Sequence, residues 1–345
     1  MEKKSCDKCI RWICVVLFAA FAFCWLYFFQ RELLQAENRF LFSDDSSLRI
    51  WMFNHHFLVS LALTAIALLL AIPGRLVLRF KKGLYACNYM LSAAFLGIIT
   101  GYDGESVFGQ SFTVWIASGA FLFLLFLICK IVASVPKSEY NDRPRTLAGT
   151  LLILSLLFGL TAYLGNTDEN LHRRLRMEQL FADGDYARLL EIGRYEEESD
   201  AGIDLIRAKA LLQSPASPAG SGIGESLFRY SISDPSALSK ALKTMHSDQA
   251  YLTSCLLDRD LVSFADTIDY DAYTTVPTYY MQALVIVNDS VARARFPQQF
   301  ADEQLLYDSF CEALEPLEYE PKQFQANSTY IPFHETYFWF YTFCK

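Results

Sequence analysis

The chain has 345 residues, 53% of them hydrophobic, and its mean hydropathy is positive. A soluble domain of this size seldom carries so large an apolar fraction, so a chain soluble along its whole length is excluded and membrane segments are expected. The formal net charge of −8 speaks against nucleic acid as a partner, since that binding draws on a basic surface.

The first eleven residues carry Lys3, Lys4, Lys8 and Arg11 and a Cys6-x-x-Cys9 pair. No second cysteine pair follows at zinc-like spacing, so this pair alone assigns no metal site. Five stretches then lack charged side chains: Trp12 to Phe29, Phe57 to Pro73, Leu84 to Thr100, Phe112 to Cys129 and Leu147 to Leu164. Each nears the roughly 20 residues that cross the hydrocarbon of a bilayer. Five transmembrane helices within residues 12–164 are therefore expected. The third stretch is the least apolar, because it contains Asn88, Ser92 and two glycines. The first stretch is read as a retained anchor rather than a cleaved signal, because Gln30, Arg31 and Glu32 follow it in place of a small-residue cleavage site.

Orientation follows from the basic residues in short loops. Twelve of them lie at the amino terminus and in alternate connections: Lys3, Lys4, Lys8 and Arg11; Arg75, Arg79, Lys81 and Lys82; Lys130, Lys137, Arg143 and Arg145. The two remaining connections hold only Arg31, Arg39 and Arg49. This bias puts residues 1–11 in the cytoplasm, and five crossings carry residues 165–345 to the other side, which is the periplasm for an inner-membrane protein. That tail holds 15 of the 30 basic and 28 of the 38 acidic residues, a formal charge of −13 that reads as a solvated surface.

After Leu164 the apolar period becomes helical. Leu171, Leu175, Met177, Leu180 and Phe181 recur at three- and four-residue spacing, Asp183-Gly184-Asp185 interrupts them, and Leu189, Leu190 and Ile192 resume. A tight turn at Gly184 with Asp185 capping the next helix is the hairpin of a tetratricopeptide-like pair. A second pair is expected from Asp200, behind the acidic loop Glu196-Glu197-Glu198. A Ser, Pro, Ala and Gly-rich loop should cover Gln213 to Gly224. Further helices are expected over Asp248 to Leu257, Leu261 to Ile268, Pro277 to Val287 and Asp302 to Leu314, capped by Asp248, Asp258 or Asp260, and Asp302. The aromatic stretch Tyr330 to Phe343 should close the array as a capping helix. The fold expected is all-α: about five transmembrane helices followed by a helical-repeat soluble domain. Cys255, Cys311 and Cys344 are an odd number in that domain, so at least one has no partner within it, and which two pair is left open.

Chemistry-bearing residues gather at the proposed outer face. Glu37, Asp44 and Asp45 lie in the first outer loop, Asn54, His55 and His56 at the mouth of the second span, and Asp103 and Glu105 in the next outer loop. Acids and imidazoles at one membrane face can serve as general acid and base, so a glycosyltransferase-like enzyme acting on a lipid-linked or envelope substrate would draw on Asp44, Asp45, His55 and His56. No phosphate-cradling loop, nucleophile elbow or HExxH stands in the chain, and no cofactor or metal is expected. The five spans lack Asp, Glu, Lys and Arg in their centres, which places transport third. The leading expectation is a membrane-anchored scaffold whose tail binds a protein or peptide.

Four passages carry a resemblance: Gln35-Ala-Glu-Asn-Arg-Phe-Leu-Phe-Ser, Cys255-Leu-Leu-Asp-Arg-Asp-Leu-Val-Ser-Phe264, Val276-Pro-Thr-Tyr-Tyr-Met-Gln-Ala-Leu284 and Glu335-Thr-Tyr-Phe-Trp-Phe-Tyr341. In these the chain resembles an uncharacterised family of bacterial polytopic membrane proteins in which a larger set of spans precedes a tetratricopeptide-like helical tail. The resemblance implies architecture and no activity.

Overall fold

The computed structural model describes residues 2–35, 55–78, 85–101, 112–134, 143–194, 199–214 and 222–344. Among these the secondary structure is helical, with no strand. The chain folds as two compact units, Met1–Leu175 and Arg176–Lys345.

In the first unit the helix Glu2–Cys24 (α1) runs on into a π-helical turn, Trp25–Phe29. His56–Leu78 (α2) follows, then a 3-10 segment Tyr85–Tyr89 that leads into Met90–Ile99 (α3), then Phe112–Ser134 (α4) and Arg143–Leu164 (α5). Four stretches are long and apolar enough to cross a membrane: Lys8–Phe29, His56–Arg75, Phe112–Ile131 and Leu147–Leu164. Tyr85–Ile99, where a further span was expected, is a shorter apolar helix. Its 3-10 start has 5 residues and its α-helical part 10. At about 2.0 and 1.5 Å of rise per residue they reach about 25 Å, against about 30 Å of hydrocarbon.

Side-chain contacts fix the direction of each helix. Arg11 lies 4.6 Å over the Tyr85 ring, Phe18 stacks on Tyr89 at 4.5 Å, and Trp25 Nε1 donates to Thr100 Oγ1 at 3.3 Å. The Tyr85–Ile99 segment thus runs parallel to α1 and matches it from Arg11 to Trp25. Tyr27, just past α1, stacks on His56 at 5.4 Å, so α2 starts where α1 ends and runs back. The sulfurs of Cys87 and Cys129 are 3.2 Å apart, which sets the end of α4 beside the start of the 3-10 segment. Phe21 stacks on Phe158 at 3.9 Å, and the Asn166 N–H donates to the Thr100 carbonyl at 2.6 Å, so α5 ends level with α1 and α3. The five apolar helices therefore alternate in direction along the chain.

The shortest of these helices, the one preceded by Asn88 and carrying Ser92, is the most enclosed. Ala86, Cys87, Ala93 and Leu96 are fully buried, and Ser92 Oγ donates to the Ala67 carbonyl at 2.6 Å. A Cβ placed on Gly74 would stand 2.5 Å from the Asn88 carbonyl oxygen, so glycine lets the backbones of α2 and the 3-10 segment meet. Trp12, Leu69, Ile116, Phe123 and Leu152 point away from the bundle with more than half of their surface exposed.

The second unit is built on a repeated reversal. Glu169–Ala182 (α6), within which the division between units falls, is followed by Tyr186–Glu191 (α7), Ala201–Gln213 (α8), Gly222–Ser226 (α9) and Pro235–Lys243 (α10). Asp248–Asp258 (α11), Leu261–Thr267 (α12), Thr278–Ile286 (α13), Ser290–Arg295 (α14), Pro297–Leu314 (α15), Lys322–Phe333 (α16) and Tyr337–Phe343 (α17) complete it. The reversals from α6 to α7, α11 to α12 and α13 to α14 share one design. Gly184, Arg259 and Asn288 take left-handed φ values of 73°, 60° and 54°. The N–H groups of Asp185, Asp260 and Asp289 then reach back to the carbonyls of Leu180, Cys255 and Leu284. The same three carboxylates accept from the N–H groups of Arg188, Ser263 and Ala292, so each aspartate ends one helix and caps the next.

Several expected boundaries move. Ser247 precedes α11, which makes Asp248 its first residue rather than its cap. Asp302 lies inside α15, which starts at Pro297, because a proline suits the first helical position. Of the loop expected over Gln213 to Gly224, Gln213 ends α8 and Gly222 to Gly224 belong to α9; residues 215–221, like the acidic residues Glu196 to Glu198, lie outside the described residues. Tyr330 to Phe343 is not one helix: α16 stops at Phe333, and Thr336 caps α17 by accepting from the Trp339 N–H. In α17 Tyr337, Phe338 and Phe340 are buried, and the Tyr337 hydroxyl donates to the Leu256 carbonyl at 2.8 Å.

A buried ion pair ties the first helices of this unit. Asp204 and Arg207 are 2% and 3% exposed. Asp204 accepts from Ser199 Oγ, the Ser233 N–H and Ser233 Oγ at 2.5, 2.8 and 2.7 Å. Arg207 donates to the Ile192 carbonyl at 3.2 Å and lies 4.4 Å over the Tyr230 ring. Removing one member strands a buried charge, so Asp204→Ala should cost about 3 kcal/mol or more. Gly74→Val should cost about 1–3 kcal/mol by forcing two backbones apart. Both are read from denaturant unfolding of the full-length protein in detergent, and an unchanged midpoint would contradict the packing described.

Candidate functional site

Of the sequence candidates, Asp44 and Asp45 lie outside the described residues, as do Glu37, Asn54, Asp103 and Glu105. His55 and His56 are described and differ in setting. His55 is an exposed turn residue, whereas His56 opens α2 and is 8% exposed. Its Nε2 lies 3.3 Å from the Tyr27 carbonyl oxygen. That carbonyl belongs to the π-helical turn, in which the Gln30 N–H reaches back to the Trp25 carbonyl and the usual register is broken. His56 thus closes the junction of α1 and α2, a role a helix-end histidine fills without chemistry.

Sequence reading missed a second set of residues beside it. Gln30, 1% exposed, follows the π turn, and its Nε2 donates to the Asn166 carbonyl at 3.0 Å. His172 Nε2 sits 3.2 Å from the same carbonyl, and its Nδ1 stands 3.7 Å from Glu32 Oε2. With Trp25 bonded to Thr100, and Asn166 bonded to the Thr100 carbonyl, these residues form one polar junction at the common end of α1, α3 and α5. Gln30 Oε1 is buried there as an acceptor with no hydrogen-bond partner. The sequence signal for this junction is the polar run Gln30-Arg31-Glu32 directly after an apolar stretch.

The electrostatics of the junction centre on His172. The Glu32 carboxylate holds its pKa above the ordinary 6.5, the Asn166 carbonyl adds to this, and burial opposes both. Protonated, His172 donates from both ring nitrogens, so the arrangement is a proton-dependent fastener between the segment after α1 and α6. Leu33 packs with Leu171 and Leu175 alongside it. Among the described residues no three His, Cys, Asp or Glu side chains converge as a metal site. Cys255, Cys311 and Cys344 are free thiols, buried, exposed and half-buried in turn. No family model, curated protein or solved structure matches the chain, so the family resemblance rests on the four passages quoted.

Because the folded pKa of His172 is raised, the pair stabilises fully below the unfolded value of ~6.5 and loses its contribution as pH rises through the folded value. The gap in thermal midpoint between the wild-type protein and His172→Gln should therefore be widest in acid and narrow above neutrality. A gap that is flat with pH, measured in one detergent at fixed ionic strength, would contradict this role.

Proposed function

We propose that this chain is a bacterial inner-membrane protein with five crossings, whose residues 165–345 form a soluble helical-repeat domain that binds a protein or peptide in the periplasm. The observation that carries the reading is the reversal used three times, at Gly184-Asp185, Arg259-Asp260 and Asn288-Asp289. A device that stacks helical hairpins generates extended surfaces suited to partner proteins. It also supports a tetratricopeptide-like description, in which each hairpin buries its apolar face on a neighbour.

The membrane part of the proposal has its own support. Four helices have the length and apolarity of spans, and their outward side chains are large and apolar. The shorter Tyr85–Ile99 helix matches α1 from Arg11 to Trp25, which is why it is counted as the fifth crossing in spite of its length. Five crossings and the basic bias then put Lys345 outside the cytoplasm.

Two fusions at Lys345, one reporter active only in the cytoplasm and one only outside it, test the orientation. The external reporter should give the signal, with protease reaching the Ser214 to Gly222 loop in spheroplasts. Cytoplasmic activity would overturn the five-crossing count and the periplasmic assignment. For the binding role, crosslinking in intact cells followed by purification through Lys345 should recover one defined partner. That complex should weaken in Asp260→Pro, which disrupts a hairpin, and persist in Asp44→Asn with Asp45→Asn. Loss of the cellular phenotype in the double asparagine variant at unchanged protein level would instead favour an enzyme of the outer loop.

A further inference from the structure

We propose that Cys87 and Cys129 are a redox-sensitive pair, which an apolar organic hydroperoxide converts to a disulfide that fastens α4 to the start of the Tyr85–Ile99 segment. Their sulfurs are 3.2 Å apart, and both residues are buried, at 0% and 2% exposure, in one apolar cluster with Ala86, Tyr89 and Leu125. A disulfide needs a separation of about 2.05 Å, so the two sulfurs have about 1.2 Å to close.

The place of the pair gives the bond a consequence. Along Phe112–Ile131 the buried side chains of α4 are Ser118, Leu125 and Cys129, a single narrow stripe, while Phe112, Ile116, Phe123 and Ile131 face outward. Ser118 Oγ has no hydrogen-bond partner there, so that polar group adds little hold. Cys129 is one contact that sets the end of α4 against the 3-10 segment. A covalent link there would turn the least enclosed helix of the unit into a fixed one.

Burial also selects the oxidant. Entering such a cluster costs a charged reagent a large desolvation energy, whereas it costs a neutral alkyl hydroperoxide, with one polar end on an apolar body, far less. In the first step one thiol sulfur takes the terminal peroxide oxygen, the O–O bond breaks, and the thiol proton leaves with the alkoxide as an alcohol. In the second step the other sulfur attacks the sulfenic sulfur, the S–O bond breaks, and hydroxide departs with the second thiol proton as water. Two thiols and one hydroperoxide give one disulfide, one alcohol and one water.

The test uses membranes carrying the full chain, treated with cumene hydroperoxide, denatured, blocked with an alkylating reagent and digested without reductant. The expected result is a Cys87–Cys129 linked peptide, loss of alkylation at both positions, and reversal by dithiothreitol. Oxidation should also raise the thermal midpoint of the wild-type protein in detergent and leave that of Cys129→Ser unchanged. Alkylation of both cysteines to the level of untreated membranes would overturn the proposal, as would pairing of either with Cys14, which is buried in the same cluster. If the serine variant does not fold, the wild-type peptide map decides.

Discussion

The first unit depends on enclosing a helix that is poorly suited to face lipid. Tyr85–Ile99 carries Asn88, Ser92 and Gly97 and starts as a 3-10 turn, so its backbone and side chains need partners from the protein. They receive them from every side. Ser92 bonds the α2 backbone, Thr161 of α5 bonds the Ala93 carbonyl at 3.4 Å, and Tyr89 packs on Phe18 of α1. Because the contacts run from Arg11 to Trp25 along α1, enclosure also sets direction: the other helices must alternate around this one.

The polar junction follows from the same constraint. Where α1, α3 and α5 end together, their last carbonyls and the π-helical turn need donors. Gln30, Trp25, His56, His172 and the Asn166 N–H supply or accept bonds at that level. The π turn shifts the backbone register after Trp25, which brings Gln30 to the Asn166 carbonyl and leaves Phe28 and Phe29 exposed. A site with so many internal partners is first an architectural joint, and the raised pKa of His172 beside Glu32 makes its strength depend on pH.

The second unit solves a different problem, that of reversing the chain often without exposing helix ends. A left-handed residue followed by aspartate does this at three reversals, with main-chain bonds closing one helix and a carboxylate opening the next. Non-glycine residues at two of the three left-handed positions carry a local cost, offset by those bonds. Elsewhere the unit is held by buried polar bonds, with Asp204 and Arg207 at one end and Tyr337 with Gln282 at the other; Gln282 Oε1 accepts from the Tyr337 N–H at 2.7 Å.

The sequence by itself determined the helical class, the apolar stretches and their basic flanks, because these follow from composition and from periods of three and four that need no partner to be read. Gly184-Asp185 was legible as a turn for the same local reason, whereas at the second reversal the sequence left the cap open between Asp258 and Asp260, and the structure gives it to Asp260. Asn288-Asp289 was not legible, since asparagine in the left-handed region leaves a weaker mark than glycine. The break at His334–Thr336 was masked by continuous aromatics, whose burial alone does not distinguish one helix from two. Only the tertiary structure decided that the least apolar stretch is the enclosed one, and that Gln30, Glu32, Asn166 and His172 meet. Gln30 meets Asn166 and Glu32 meets His172 across more than a hundred positions, and no local pattern encodes which helix ends share a level.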